Sequence, residues 1–264
     1  MSRLTFTFFL FALTLAPGLA TAEDWSRFRG PGGSGATSAT GLALTWADGK
    51  NIRWEAKLPG RGASSVIIVG KRAFLTCYSG YGLSSREPGE QANLKLHVLC
   101  YDAESGKQLW DKSFASDETV RDYRGFVALH GYASSTPASD GKTVYAYFGA
   151  NGLVAYDLEG KLLWKKKLGS KTHGFGTANS PVLYENVVIV NAGVESGRVV
   201  GLDKKTGKLL WEAGGIKSSW NTPTLVTAAS GRVEAVVNTK GKLRAYDPKT
   251  GTELWTCSAI NGYI

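Results

Sequence analysis

The chain has 264 residues, with 31 Lys and Arg against 22 Asp and Glu and a formal net charge of +9. Its three cysteines are too few for a disulfide scaffold, and their odd count leaves at least one unpaired in a monomer. The chain is long enough to bury a sizeable core without such bridges. The 33 glycines, 11% aromatic residues and single methionine indicate many short strands joined by tight turns.

Residues 1–22 have the order of a secretory signal peptide. Arg3 precedes an apolar run over residues 4–15, and Ala20-Thr21-Ala22 supplies a small-residue cleavage pattern. That run is too short to span a bilayer, and no later segment reaches transmembrane length. We therefore expect cleavage after Ala22 and an exported, soluble, periplasmic or extracellular chain without a membrane span. Export argues against a nucleic-acid partner, although a basic surface attracts polyanions in general.

Residues 23–45 are rich in Gly, Ser and Thr and predict an extended lead-in to a repeat domain over residues 46–264. The repeat is a phrase ending in Trp. "YDPKTGTELW" at 246–255 has close copies at 101–110, 156–164 and 202–211, and Trp54 ends a degenerate copy. Successive Trp positions are 56, 54, 47 and 44 residues apart, a period typical of propeller blades with loop insertions.

Each repeat unit also predicts strands. A Ser/Asn/Thr-Pro start, as at residues 135–137, is followed by short apolar runs such as 143–148 and 153–156. These runs are β-branched or aromatic and are bounded by Gly, Asn, Asp and Pro, which is the signature of strands. We expect an all-β fold, a β-propeller of four-stranded antiparallel blades.

The phrase itself predicts a turn followed by a docking residue. Its Asp can accept hydrogen bonds from backbone N–H groups two residues on, and its Gly supplies a positive φ. A small residue ten positions before most of the tryptophans makes room for the indole between closely stacked blades. The predicted docking residues are Trp110, Trp164, Trp211 and Trp255, with Gly106, Gly160, Gly207 and Gly251 in the turns.

The spacing small-x-Asp-x-x-x-Gly-x-x-x-Trp resembles the tryptophan-docking motif of the pyrroloquinoline-quinone-type repeat family. That family includes quinoprotein dehydrogenases and non-catalytic propellers such as the outer-membrane β-barrel assembly lipoprotein. The resemblance covers about residues 50–257 and implies the propeller fold, while leaving the activity open. The stretches "HGYASSTP" and "SSWNTP" also look like exported, uncharacterised members of this family.

The repeat divides the chain into four blades, at about residues 62–114, 131–168, 175–214 and 218–257. Residues 46–61 resemble the last strand of a further blade. Since members of this family usually have more than four blades, we expect a truncated open arc, incomplete at its C-terminus. An insertion at residues 78–95 predicts a surface loop in the first blade, either functional or merely tolerated. A bridge between Cys77 and Cys100 in that blade stays open.

Six non-repetitive residues form the candidate ligand site. They lie in the connections that enter the blades, which open onto one face near the propeller axis, and polar and aromatic groups converging there are typical of ligand sites. Filling of the axis is the alternative. The candidates are Arg61, His130, Tyr132, His173, Trp220 and Asn221, with Phe175 beside them.

No catalytic residue is nominated, because no Ser-His-Asp, HExxH or phosphate-loop pattern is present in the sequence. His97 is expected to be a packed or edge histidine within a strand. Two histidines without a carboxylate or cysteine partner predict no metal site, and no cofactor is expected. We expect a non-enzymatic binding scaffold for an envelope protein or polysaccharide. The alternatives are a dehydrogenase carrying the quinone with calcium, as the resemblance implies, and a carbohydrate- or polyanion-binding propeller.

Overall fold

The computed structural model describes residues 24–217 and 219–258. The predicted signal peptide and the C-terminus, which we expect to be incomplete, lie outside the described residues. Within the described ranges, sixteen strands form four separate four-stranded antiparallel sheets, each built from consecutive strands. The all-β propeller architecture predicted from the repeat is confirmed.

The strands follow the predicted blades in chain order. Blade 1 holds β1 (Ile67–Val69), β2 (Arg72–Ser79), β3 (Lys95–Asp102) and β4 (Gln108–Ala115). Blade 2 holds β5 (Ala138–Ser139), β6 (Thr143–Tyr147), β7 (Leu153–Asp157) and β8 (Leu162–Lys166). Blade 3 holds β9 (Val182–Tyr184), β10 (Val187–Ala192), β11 (Arg198–Asp203) and β12 (Leu209–Ala213). Blade 4 holds β13 (Thr224–Thr227), β14 (Val233–Thr239), β15 (Lys242–Tyr246) and β16 (Glu253–Ser258).

Helical structure among the described residues is limited to connections. One turn of α-helix, α1 (Val127–His130), precedes blade 2. Single 3-10 turns lie at Gln91–Asn93, within the insertion of blade 1, and at Gly149–Asn151. The core therefore consists of sheet faces, with separate buried clusters between blades 1 and 2, 2 and 3, and 3 and 4.

Each turn of the repeated phrase forms as expected. In blade 3, Asp203 Oδ1 accepts the N–H groups of Lys205 and Thr206 at 3.1 and 2.8 Å. Hydrogen bonds from the side chain and backbone of Thr206 lower the pKa of the Asp203 carboxyl. Gly207 closes the turn at φ +68°, a conformation that glycine adopts without strain.

The tryptophans join each blade to the next one. The Trp164 ring covers Gly207 so closely that a Cβ there would lie 2.6 Å from the indole. Its Nε1 donates to the carbonyl of Lys204 at 3.0 Å, in the same turn. Trp54, Trp110 and Trp211 donate in the same way to turns in blades 1, 2 and 4. The small residue of the phrase lies opposite the Trp on the same sheet, as in the pair Gly201 and Trp211.

Trp255 departs from the expected burial. It remains 36% exposed, compared with 7% for Trp211. The described residues provide no further turn for its ring to cover, and its Nε1 instead donates to Glu234 Oε2 at 2.6 Å.

The expectation of a strand at residues 46–61 is wrong. The segment contains only isolated bridges, Ala47 with Lys50 and Arg61 with Tyr78, because no strand among the described residues forms a ladder with it. Trp54 nevertheless docks on blade 1. The lead-in also folds more tightly than expected, since turn hydrogen bonds join Gly30 N to Arg27 O at 3.0 Å and Gly33 N to Gly30 O at 3.0 Å.

Cys77 and Cys100 are free and buried, so the bridge that was left open is absent. The strand register explains this result. Cys77 pairs with His97 across the ladder, and Cys100 pairs with Phe74. Positions 97 and 100 on one strand differ by an odd number, which puts the two thiols on opposite faces of the sheet.

A chain of hydrogen bonds links the starts of the four blades around the axis. The N–H of Ser65 donates to the hydroxyl of Thr136 at 3.0 Å. The N–H of Thr136 donates to the hydroxyl of Ser180 at 2.9 Å, and that of Ser180 to Thr222 at 2.9 Å. The hydroxyl residues of the repeated Ser/Thr-Pro starts thus fix neighbouring blades to one another and set the rigid frame of the site.

Candidate functional site

The connections entering blades 2, 3 and 4 bring aromatic side chains together on one face. The Phe126 and Phe175 rings meet edge-to-face with centroids 4.7 Å apart. His173 lies 4.9 Å from Trp220 and 5.0 Å from Phe175. Phe126 and Leu129, on and beside α1, are 57% and 78% exposed. We call Phe126, Leu129, His173, Phe175 and Trp220 the aromatic ridge.

His130 ties α1 to this ridge. Its Nε2 lies 2.7 Å from the carbonyl oxygen of Phe175, so Nε2 carries a proton, because a carbonyl can only accept. Its Nδ1 contacts the hydroxyl of Ser134. Gly176 approaches the imidazole so closely that a Cβ at this position would lie 2.6 Å from Cε1. The predicted residues His130, His173 and Trp220 therefore share one set of contacts, centred on residues 173–176.

Tyr132 belongs to a neighbouring group of tyrosines. Its ring stacks on Tyr81 at 5.6 Å and meets Tyr78 edge-on at 5.3 Å. Burial raises the pKa of the Tyr132 hydroxyl well above its ordinary value. Arg61 joins the group through Nη1, which donates to the hydroxyl of Tyr123 at 3.4 Å. The insertion of blade 1 supplies Tyr81 and thus helps to build this part of the face.

Asn221 has a mainly architectural set of contacts. Its Nδ2 donates to the carbonyl of Asn238 at 2.5 Å and to the hydroxyl of Ser219 at 3.0 Å. Its Oδ1 accepts the N–H of Asn238 at 3.2 Å. These bonds attach the connection before β13 to strand β14.

The six predicted residues are distributed over three concavities. Arg61 and His130 line a cleft of about 260 Å³. Tyr132 and His173 line a smaller one of about 50 Å³. Trp220 and Asn221 line a third, of about 340 Å³, together with Arg27, Phe28 and Arg29 of the lead-in.

Two polar groups were missed by the sequence analysis. The first is Glu195, whose Oε1 accepts a hydrogen bond from Thr177 Oγ1 beneath the smallest cleft. The buried carboxyl of Glu195 and the buried hydroxyl of Tyr147 interact with each other, and neither Oε2 nor the hydroxyl has a further hydrogen-bond partner among the described residues. Burial raises the pKa of both groups. Glu195 lies in an ordinary hairpin turn, so no local sequence pattern marks it.

The second is a Ser-His-Asp chain on blade 1. His97 Nε2 lies 2.8 Å from Ser79 Oγ, and Nδ1 lies 2.9 Å from Asp111 Oδ1. The three residues come from neighbouring strands β2, β3 and β4, and His97 is buried. These residues line none of the three clefts described above. The chain of bonds therefore joins three strands, consistent with the expected packed histidine.

The described residues also bear on metal binding and on membrane spanning. Within 24–217 and 219–258, no group of three or more His, Cys, Asp and Glu side chains is arranged to hold a metal ion. Over the same ranges, no helix is long and apolar enough to cross a membrane.

Comparison with known proteins identifies a family. The family model described as "Outer membrane protein assembly factor BamB" matches residues 95–259. The tetrathionate hydrolase of Acidithiobacillus ferrooxidans is 28% identical, over 61% of this chain and 33% of the relative. The polyvinylalcohol dehydrogenase of a Pseudomonas species is 25% identical, over 90% of this chain and 40% of the relative. The chain thus spans less than half the length of either curated relative.

A solved structure has the same fold. BamB from Moraxella catarrhalis superposes with a TM-score of 0.54 at 19% identity, covering 79% of this chain and 55% of that chain. At this identity the likeness concerns the fold alone.

Proposed function

The chain belongs to the PQQ-like repeat family whose model is described as outer membrane protein assembly factor BamB, and from this premise we propose that it is an exported binding scaffold. In this proposal the propeller presents a rigid face to a protein partner in the cell envelope. The signal-like order of residues 1–22 supports export. The name of the family model supports a protein as the partner.

The aromatic ridge is the observation that carries the proposal. Exposed apolar side chains that gather into one patch are typical of protein-protein contacts. Phe126 and Leu129 are largely exposed, and Phe126 packs directly on Phe175. Aromatic residues at the centre of an interface contribute most to its binding energy. The ridge therefore has the composition of a protein-binding hot spot.

The frame beneath the ridge is rigid, which lowers the entropic cost of binding. Trp220 Nε1 donates to the carbonyl of Gly176 at 3.0 Å, and His130 holds the carbonyl of Phe175. The hydrogen bonds between Thr136, Ser180 and Thr222 fix the three blades that carry these connections. In this proposal Arg61 and Tyr132 lie at the edge of the contact, and Asn221 supports it from below.

Site-specific photo-crosslinking tests the proposal. A photoreactive amino acid replaces Leu129 on the ridge or, as the control, Leu163 on β8, which is also exposed. We expect a discrete polypeptide adduct from position 129 in the producing cells and none from position 163. Phe126→Ser should remove the adduct while the fold remains intact by circular dichroism. Equal adducts at both positions, or none at 129, would contradict the proposal, and a glycan adduct would favour carbohydrate binding.

A quinoprotein dehydrogenase is the second candidate, favoured by the relative that aligns over 90% of this chain. Calcium requires several oxygen ligands gathered at one point. The described residues contain no cluster of three or more acidic, His or Cys side chains arranged for a metal, so they supply no carboxylate cluster for a calcium-quinone site. Turnover of alcohols in a dye-reduction assay, after incubation with pyrroloquinoline quinone and calcium, would overturn the scaffold proposal.

A further inference from the structure

The amino-terminal arm, residues 24–35, lies against the first strands of the blades. The N–H of Ile68 in β1 donates to the carbonyl of Trp25 at 3.0 Å. The N–H of Ser139 in β5 donates to the carbonyl of Ser26 at 2.8 Å. The next residues of the arm enclose a cavity of about 340 Å³ with blades 3 and 4. We call it the arm cavity.

The walls of the arm cavity are both basic and aromatic. Arg27, Phe28 and Arg29 line the side of the arm, and Trp220 and Thr222 line the side of blade 4. A cavity of this volume lies at the lower end of the range for small-molecule sites.

Backbone carbonyls hold the two guanidinium groups in place. Arg27 donates from Nε and Nη2 to the carbonyl of Pro31, at 3.0 and 2.7 Å. Arg29 donates from Nη2 to the carbonyl of Ser34 at 3.0 Å. Arg29 also has a φ of +63°, a conformation that costs a residue with a side chain free energy. Backbone strain of this kind is concentrated at functional sites.

No carboxylate among the described residues neutralises the charge of the two arginines. No Asp or Glu forms an ion pair with Arg27 or Arg29 in the described ranges. Arg27 is partly buried, which lowers the pKa of its guanidinium, whereas Arg29 is exposed. A guanidinium that contacts only carbonyls retains unused N–H donors and an unpaired charge, and an oxyanion satisfies both.

We propose that the arm cavity binds a small organic anion. An oxyanion group (carboxylate, phosphate or sulfate) contacts the guanidinium groups of Arg27 and Arg29. An apolar or aromatic body of the same ligand packs against Phe28 and Trp220. This site is separate from the protein-binding role of the aromatic ridge, although Trp220 contributes to both.

Calorimetric titration with defined probes tests the site. The probes are benzoate, phenyl phosphate and phenyl sulfate, with inorganic phosphate and benzyl alcohol as controls for the two halves of the ligand. We expect saturable binding of at least one phenyl oxyanion, at least about tenfold weaker binding of inorganic phosphate, and none of benzyl alcohol. The order of the three phenyl probes identifies the oxyanion.

Arg29→Gln is the diagnostic variant, because Arg29 donates a single hydrogen bond to the arm, whereas Arg27 donates several. It should lower the affinity for the phenyl oxyanion by about tenfold or more. Arg53→Gln removes another exposed arginine, which lines none of the cavities, and should leave the affinity unchanged. Unfolding curves confirm that both variants fold. No binding of any phenyl oxyanion, or equal affinity for Arg29→Gln and the parent chain, would overturn the proposal. The crosslink from position 129 tests protein binding at the aromatic ridge separately, so failure of one proposal can be told apart from failure of the other.

Discussion

Replacing Trp211 with alanine removes the indole that joins blade 3 to blade 4. The ring is 7% exposed, and its Nε1 donates to the carbonyl of Pro248 at 3.2 Å. Truncating a buried aromatic residue costs about 3–5 kcal/mol of unfolding free energy. Trp255 is the matched control, because it ends the same phrase but is 36% exposed and covers no following turn within the described residues. Trp255→Ala should cost only about 1–2 kcal/mol.

A double-mutant cycle with Gly251 isolates the docking contact. A Cβ at Gly251 would lie 2.5 Å from the Trp211 ring, and the residue has a φ of +71°. In the Trp211→Ala background, Gly251→Ala should lower the unfolding free energy by about 1–2 kcal/mol, because alanine disfavours the left-handed backbone conformation. In the parent chain the same change must also displace the indole. We therefore expect the two substitutions to be non-additive by about 0.5–3 kcal/mol.

Urea unfolding followed by far-UV circular dichroism measures all four corners of the cycle, together with Trp255→Ala. Equal costs for Trp211→Ala and Trp255→Ala would refute the docking argument. Strict additivity of the Trp211 and Gly251 substitutions would refute it as well, since it would mean that the ring and the turn do not constrain each other.

Three further predictions concern other parts of the molecule. Ser180→Ala should cost about 1–3 kcal/mol in urea unfolding, because a buried backbone N–H of blade 2 loses its acceptor; no measurable loss would contradict the inter-blade role. Thiol titration at pH 8 should find Cys257 alone reactive in the native protein, since burial raises the pKa of Cys77 and Cys100 to about 12, and all three reactive in denaturant. Burial raises the pKa of Glu195 above its unfolded value of about 4.3, so stability contributed by the protonated form is present below that pH and is lost as pH rises through the folded pKa. Glu195→Gln should therefore melt at a higher temperature than the parent near pH 7 but not near pH 4, and identical pH dependence of the two melting curves would contradict this.

The sequence alone determined the architecture of each blade, because the contacts of the repeated Trp-ending phrase are local or reach one neighbouring blade. The Asp and Gly of each turn bond within a few residues, and the Trp pairs with a small residue nine or ten positions before it. The strand predicted at residues 46–61 failed because a strand also needs a partner strand, which the segment's own pattern cannot supply.

The candidate site was predictable only as a location. The connections entering successive blades gather on one face for any propeller, so His130, His173 and Trp220 could be nominated together. Phe126 and Glu195 could not be nominated from the sequence. Nothing in their local sequence distinguishes a side chain beside the axis from one in an ordinary turn.

The tertiary structure alone decided which distant residues meet. Ser79, His97 and Asp111 come from three strands whose register creates their hydrogen bonds, and no fixed spacing announces them. The position of Arg27 and Arg29 in the arm cavity depends on where the arm lies against the four first strands. Hydrogen bonding within a turn is set by a few consecutive residues, whereas these contacts are set by the relative orientation of whole blades, which arises only when the sheets pack.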